Sequence, residues 1–167
     1  KIEIERLNEP VGKQDQYIAS FGGLTCFEID RSGEVKIDPI PASSDTIDEL
    51  ESNLLLFYTG QQRSASSILE DQEKRSQSSE KEIFENLHKT KELGKISYQL
   101  LKESKLKQYA LLMHEHWHNK RKRFRGMSNE FLDKVYDAAI ANGALGGKIV
   151  GAGGGGFLMF LAHDKSK

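Results

Sequence analysis

The pattern of apolar and polar positions is most regular in the second half of the chain, where it is helical. The spacing of apolar and polar residues from residue 64 to about residue 125 predicts several helices, with breaks at SQSSEK and near Gly94. Within it, apolar residues recur at spacings of four, three and four, on one face of a helix: Leu106, Ala110, Met113 and Trp117. This face is a candidate for the core.

A further helix is predicted in MSNEFLDKVYDAAIANG. Ser128 or Asn129 is suited to cap its start, and Asn142-Gly143 is suited to end it. Its apolar face is predicted to consist of Phe131, Val135, Ala138 and Ala139. A helix end is predicted in KIEIERLNEP, and a shorter helix, QDQYIASF, is expected to stop at the two glycines that follow it.

Strands are predicted in both halves of the chain. LTCFEID and EVKIDPI flank a short polar turn, which is typical of a hairpin. NLLLFYTG contains a continuous apolar run, which suits a strand buried on both faces. GGKIV and FLMFLAH flank a glycine loop and predict strand, turn, strand. The order of three strands, several helices and two further strands indicates an α+β fold.

Composition narrows the classes of function. A length of 167 residues is typical of one domain or of part of a longer protein. Basic and acidic residues number 24 and 25, so no overall charge favours nucleic acid or a membrane. No apolar run approaches the roughly 20 residues of a membrane span. The single cysteine, Cys26, excludes an internal disulfide and indicates a reducing, intracellular setting. Because the chain begins without Met, we expect a fragment.

The segment GKIVGAGGGGFLMF poses the main chemical question, because glycine clusters are costly to order. Gly151, Gly153 and Gly156 satisfy the dinucleotide pattern G-x-G-x-x-G, but a strand-like run follows instead of the required helix. No Gly-Lys-Ser/Thr follows, which excludes a P-loop. A hairpin turn needs only one or two glycines. The remaining explanation for the glycine cluster is that the backbone closely approaches a phosphate or another loop.

Several segments carry a family resemblance. GGKIVGAGGGGFLMF resembles the third conserved motif of the GHMP small-molecule kinases, named for galactokinase, homoserine kinase, mevalonate kinase and phosphomevalonate kinase. EPVGKQDQYIASFGG is similar to the Gly-x-x-Asp-Gln segment of that family. Together with YTGQQRSASSIL and MSNEFLDKVYDAAIANGALGGK, these segments resemble the bacterial D-glycero-D-manno-heptose 7-phosphate kinases over nearly the whole chain.

The resemblance implies the C-terminal part of a kinase. Residues 1–44 would complete its N-terminal domain, and residues 45–167 would form a C-terminal domain of helices packed on an antiparallel sheet. The ATP-binding loop and an acidic residue that helps hold Mg²⁺ are expected upstream of Lys1, and a closing strand after Lys167. We therefore expect the fragment alone to be inactive.

The implied activity is ATP- and Mg²⁺-dependent phosphorylation of a sugar, specifically a heptose 7-phosphate at its anomeric hydroxyl, in the cytoplasm. Its partners would be ATP and the sugar phosphate, with neither nucleic acid nor membrane. A galactokinase- or fucokinase-like activity remains an alternative. So does a non-catalytic interaction domain that retained the fold.

The resemblance also assigns site residues. Asp15 falls on the catalytic aspartate of galactokinase-like members, where it would accept the proton of the sugar hydroxyl. From the residues alone, capping the following helix is the simpler role. Gly12, Lys13 and Gln16 would line the same site, although Lys13 also suits a solvated surface. The glycine loop would pack beside the ATP-binding loop and shape the phosphate site: Gly151, Ala152, Gly153, Gly154, Gly155 and Gly156.

Other basic residues are candidates for contacts with phosphate. Arg63, after YTGQQ, is suited either to grip a sugar phosphate through two hydrogen bonds or to begin a helix on the surface. Lys148 either balances phosphate charge or faces outward from a strand. The run NKRKRFR, residues 119–125, suits a helix end, a nucleic-acid patch or a site facing the sugar phosphate.

The segment HEHWH matches the zinc pattern H-E-x-x-H, with His114 and His118 as ligands and Glu115 as base. No third ligand follows at the spacing of metzincins, and Glu130 is an unsupported alternative. Because the kinase resemblance covers the same helix, we expect no metal ligands among these residues.

Overall fold

The structure, a computed structural model, describes residues 12–61, 81–123 and 126–163. The elements in these ranges are α1 (Gln14–Phe21), β1 (Thr25–Ile29), β2 (Val35–Pro39), α2 (Ser44–Asn53), β3 (Leu54–Tyr58), α3 (Lys81–Lys102), α4 (Leu106–Arg121), α5 (Glu130–Ala141), β4 (Ala144–Ile149) and β5 (Phe157–Ala162). The α+β class expected from the sequence is confirmed.

The predicted hairpin is present as β1 and β2, which pair antiparallel in unbroken register. Its turn forms because the Asp30 carboxylate accepts hydrogen bonds from the backbone N–H groups of Ser32 (2.8 Å) and Glu34 (3.0 Å). The preceding helix α1 ends as predicted, at Gly22, whose φ is +65°. The local sequence therefore determines this part of the fold.

The second sheet has the strand order β3-β5-β4, and both of its strand pairs are antiparallel. The strand-turn-strand arrangement predicted around the glycine loop is thus confirmed as β4 and β5. The central strand β5 is mostly buried, whereas β3 lies at an edge of the described sheet. The glycine loop consequently lies at one end of the central strand pair.

The prediction that β3 is buried on both faces is wrong. The strand forms, but Leu56, Phe57 and Tyr58 are 58%, 49% and 52% exposed. Among the described strands β3 pairs only with β5, and its first residues, Leu54 and Leu55, are those that pack against buried clusters. A continuous apolar run does not distinguish a central strand from an edge strand.

The core consists of two clusters of buried side chains. The first joins α4, α5 and the β4–β5 pair: Trp117, Met127, Leu132, Tyr136, Ile149, Leu158 and Phe160. The second joins the end of α3 to α4 and β5: Leu101, Leu106, Ala110 and Leu161. The predicted apolar face of α4 is confirmed, since all four of its residues are buried. The predicted break at Gly94 is wrong, because α3 continues through it and one glycine costs a helix only about 1 kcal/mol.

Helix α5 has the predicted start and end but buries a different face. Asn129 caps it, since its Oδ1 accepts the Leu132 N–H at 3.0 Å. The fully buried residues are Leu132 and Tyr136, whereas Phe131 and Ala138 are exposed. Tyr136 can be buried because its hydroxyl has hydrogen-bond partners inside the protein, which the sequence pattern does not reveal.

Helix α2 is an element that the hydrophobic pattern does not predict. It begins at Ser44, within the segment PASSD, where the Ser43 Oγ accepts the Thr46 N–H at 3.2 Å. Its sequence is mostly polar, so the cap is its clearest signal. The predictions made for KIEIERLNEP and for the break at SQSSEK fall on residues 1–10 and mainly 76–80, outside the described residues.

The close packing of α4 on β4 depends on Gly146. A Cβ at this position would lie 1.8 Å from the Ala110 carbonyl oxygen and 3.2 Å from the His114 backbone nitrogen. We expect Gly146→Ala to lower the free energy of unfolding by about 1–3 kcal/mol or more, because helix backbone would have to move. Urea unfolding measures this. Gly94→Ala, where a Cβ meets no atom within 4 Å, is the control and should not destabilise. An unchanged Gly146→Ala midpoint would contradict the packing argument.

Candidate active site

The glycine loop, residues 151–156, joins β4 to β5. Its ends are held together by the Val150 N–H, which donates to the Phe157 carbonyl at 2.8 Å. Four of its positions have φ between +72° and +113°: Gly151, Gly153, Gly154 and Gly156. Other residue types rarely adopt this conformation, so the loop requires glycines on backbone grounds alone.

Two other segments of the chain hold the loop, one after β3 and one before α5. The Gly154 N–H donates to the Met127 carbonyl at 3.0 Å, and the Gly156 N–H donates to the Gln61 carbonyl at 2.8 Å. The Gly156 carbonyl accepts from both the N–H and the Oγ1 of Thr59, each at 2.9 Å. The loop is therefore fixed on two sides by backbone hydrogen bonds.

The contacts of the loop leave no room for side chains at two positions. A Cβ on Gly155 would lie 2.7 Å from the Gln61 carbonyl oxygen, and one on Gly153 would lie 2.2 Å from the Met127 Sδ. Of the alternatives that the sequence leaves open, close approach to another part of the chain is therefore observed. Ala152 packs against the first core cluster. The predicted packing beside an ATP-binding loop stays a prediction.

Asn129 links the two supporting segments. Its Nδ2 donates to the Gln61 Oε1 at 2.8 Å, while its Oδ1 caps α5. Sequence reasoning predicted the cap but missed this second contact, and it also missed Thr59 and Met127 as supports of the loop. These supporting residues are far apart along the chain. The only indication of them in the sequence is that each lies beside the end of a predicted helix or strand.

Helix α1 carries the predicted catalytic aspartate in its first turn. Asp15 is exposed, and the N-cap position belongs to Lys13, whose side chain makes no capping hydrogen bond. The alternative role of Asp15 as the helix cap is therefore wrong. A carboxylate in the first turn interacts favourably with the helix dipole, and an exposed one is accessible to a bound molecule.

The residues predicted around that aspartate lie on the same short segment. The Lys13 Nζ donates to the Gly33 carbonyl in the β1–β2 turn, so it is not simply a solvated charge. Gly12 is exposed and Gln16 is half-buried. Arg63 lies outside the described residues. The structure thus groups α1 with the hairpin, and the roles of these residues toward a sugar stay predictions.

The basic run at the end of α4 faces partly inward. Asn119 is 9% exposed and exchanges hydrogen bonds with Asn86 of α3. Arg123 donates to the Asn86 Oδ1 at 3.0 Å and to the Thr90 Oγ1 at 2.7 Å. This network fastens α4 to α3, which favours the helix-end interpretation of the run; residues 124 and 125 lie outside the described ranges.

Basic side chains also collect where α4 meets β4. His116 and Lys120 are spaced four residues apart on α4, which places them on one helical face, and Arg123 follows just after the end of the helix. Burial, and then the charge of Lys148, lower the pKa of Lys120 to about 7 and that of His116 to about 4. Burial also lowers the pKa of Lys148, whose side chain is half-buried; its role toward phosphate stays a prediction.

The residues of HEHWH have other partners in the structure. The His114 Nδ1 shares a hydrogen bond with the Tyr136 hydroxyl at 2.9 Å, and Glu115 pairs with Lys89 of α3 at 2.8 Å. The His118 ring stacks edge-on against His114, with centroids 4.4 Å apart. Within the described ranges no group of three or more histidine, cysteine or acidic residues is placed to hold a metal. That HEHWH binds no metal stays a prediction.

The part of the chain that contains the glycine loop is similar to known proteins. Residues 97–167 match the family model described as GHMP kinases C terminal. This part of the chain is similar to the C-terminal domain of the GHMP kinases. The match contains α4, α5, β4, β5 and the glycine loop, so the resemblance that the sequence motifs indicated is confirmed. The glycine loop therefore lies within the residues that match this family model.

Similarity to individual proteins extends further along the chain. The whole chain is 30% identical to the D-glycero-alpha-D-manno-heptose 7-phosphate kinase of Campylobacter jejuni, of which it covers 49%. It is 32% identical over 152 residues to the bifunctional fucokinase/GDP-fucose pyrophosphorylase of Arabidopsis thaliana, covering 91% of this chain and 14% of that protein. A D-glycero-D-manno-heptose 1-phosphate kinase structure from Bacteriodes thetaiotaomicron matches with a TM-score of 0.69 and 28% identity, over 98% of this chain and 42% of that one. The chain spans about half the length of the Campylobacter relative, and less of the others.

Proposed function

We propose that the full-length protein is an ATP-dependent sugar kinase that phosphorylates a heptose 7-phosphate at its anomeric hydroxyl. The observation that carries this proposal is the glycine loop, held by backbone contacts within a GHMP kinase C-terminal domain. The likeness to the Campylobacter heptose 7-phosphate kinase covers all 167 residues, which supports a heptose phosphate as the substrate.

Asp15 is proposed as the general base. Its carboxylate would accept the proton of the anomeric hydroxyl while the hydroxyl oxygen attacks the phosphorus of the transferred group. Its exposed position in the first turn of α1, with no role as the cap, is compatible with this role. The proposed contacts to the sugar phosphate are Gly12, Lys13, Gln16 and Arg63.

The glycine loop is compatible with a nucleotide phosphate on its open side. A Cβ on Gly151 or Gly156 would meet no atom within 4 Å, and the Lys120 ammonium group lies at the Gly151 end. ATP, when bound, supplies the phosphoryl group, and Mg²⁺ neutralises its charge. As the family resemblance implies, we propose that the Mg²⁺ ligands lie mainly in the N-terminal half of the full-length protein.

The proposed organisation is the one that the family resemblance implies. Residues 1–44 would complete an N-terminal domain, residues 45–167 would form the C-terminal domain, and these 167 residues alone would be inactive. The proposed partners are small molecules in the cytoplasm, without nucleic acid or membrane. None of the helices in the described ranges combines the length and apolar character needed to cross a bilayer.

A fucokinase-like or galactokinase-like activity is the second candidate. The 32% identity to the Arabidopsis bifunctional fucokinase covers nearly as much of this chain as the heptose kinase does, so the fold itself does not select the sugar. A non-catalytic domain is the third candidate, and it predicts no transfer to any sugar.

A substrate panel with the full-length protein separates the candidates. We expect phosphate transfer from ATP to heptose 7-phosphate, seen by ³¹P NMR as a new anomeric phosphate. The kcat/KM should exceed that for fucose or galactose by more than about tenfold, the effect of one charge-assisted contact. Preference for fucose or galactose would establish the second candidate, and no transfer to any sugar would establish the third.

A further inference from the structure

The cationic side chains at the α4–β4 contact have no acidic partner among the described residues. Among these residues the Lys148 side chain makes neither a hydrogen bond nor an ion pair, and the charged groups that lower the pKa values of His116 and Lys120 are all cations. Arg123 donates only to neutral oxygen atoms of α3. Half-buried cations without a counter-charge are costly, and an anion would offset that cost.

The position of this cluster connects it to the glycine loop. The Lys120 Nζ donates to the Gly151 carbonyl at 2.6 Å, and Lys148 lies on β4, three residues before that glycine. An ammonium group has three donors, so two remain on Lys120 after the bond to the loop. The cluster therefore holds unused donors and positive charge at the start of the loop.

We propose that Lys120 and Lys148, supported by Arg123 and His116, form a binding site for a phosphate group beside Gly151. The assignment of this phosphate to a kinase substrate rests on the proposed function, whereas the anion site itself does not. The bound phosphate could come from either of two molecules with the same phosphate chemistry: the sugar, which already carries one phosphate, or ATP. In either case the site would bind phosphoryl oxygens through charge-assisted hydrogen bonds, which are stronger than neutral ones.

Binding of inorganic phosphate to the full-length protein tests the site without reference to activity. With lysines labelled for NMR at the side-chain nitrogen, phosphate should shift the Lys120 and Lys148 signals and raise the pKa of Lys120 from about 7, since an anion favours the charged form. Lys120→Met and Lys148→Met should each weaken phosphate binding by about tenfold to a hundredfold. Lys107→Met, which removes an exposed charge at the far end of α4, is the control and should leave binding unchanged.

Steady-state kinetics of the same variants identify the source of the phosphate. A raised KM for the sugar phosphate at unchanged KM for ATP assigns the site to the sugar phosphate, and the reverse result assigns it to the nucleotide. Lys148→Met is the decisive variant, because Lys148 makes no bond to the glycine loop that the substitution would break. If phosphate leaves both lysine signals unmoved and neither KM changes, the proposal is wrong. A protein that binds phosphate at these lysines but transfers none would contradict the kinase function alone.

Discussion

Changing Asp15 to Asn in the full-length protein is expected to lower kcat by about 10²–10⁴-fold, the usual contribution of a positioned general base. The substitution preserves the shape of the side chain but removes the carboxylate that would accept the sugar proton. The KM for ATP should change far less, because the main nucleotide contacts are expected upstream of this chain. Steady-state kinetics with heptose 7-phosphate measure both quantities.

Asp45→Asn is a matched control for this variant. Asp45 is also exposed, and it is the second residue of α2 just as Asp15 is the second residue of α1. Both substitutions remove a favourable interaction with a helix dipole, worth about 0.3–1 kcal/mol, so both should lower stability slightly. Only Asp15→Asn should lower kcat. A kcat within about threefold of the unchanged protein, well below the contribution of a general base, would reduce Asp15 to an orienting residue.

The sequence predicts those parts of the fold that depend on neighbours along the chain. The apolar face of α4, the hairpin turn at Asp30 and the Asn129 cap each follow from residues within a few positions of one another. The burial of β3 could not be predicted in this way, because an edge strand and a central strand have the same apolar run. Tyr136 was missed because its burial depends on partners on α4 and β4.

The same limit applies to the candidate site. The glycine loop is conspicuous in the sequence, but the residues that hold it are not. Thr59 and Gly156 stand 97 positions apart, and Gln61 and Asn129 stand 68 apart. The position of Lys148, whose charge acts on His116 and Lys120, also depends on the packing of α4 against β4. Motifs therefore indicated the loop, while its supports and the cationic cluster required the structure.

The variant Gly155→Val is expected to impair ATP use severely in the full-length protein. A Cβ at this position would lie 2.7 Å from the Gln61 carbonyl oxygen and 3.2 Å from the Gln61 carbonyl carbon. The carbonyl oxygen that would be displaced also accepts the Gly156 N–H, so the clash breaks one of the bonds that hold the loop. Gly154→Val should act similarly through backbone strain, since Gly154 has a φ of +73° and strain of this kind costs about 1–3 kcal/mol.

Each factor of ten in kcat/KM corresponds to about 1.4 kcal/mol of transition-state stabilisation. If backbone strain of about 1–3 kcal/mol is lost from the stabilisation of the transition state, kcat/KM for ATP falls by about tenfold to a hundredfold. Misplaced contacts to the phosphates would increase this loss. Gly94→Val on α3 is the control, because a Cβ there meets no atom within 4 Å. Thermal unfolding establishes whether each variant is folded at the assay temperature. If both loop variants are folded and keep normal turnover and KM for ATP, the four consecutive glycines form only a turn, and the loop has no part in phosphate transfer.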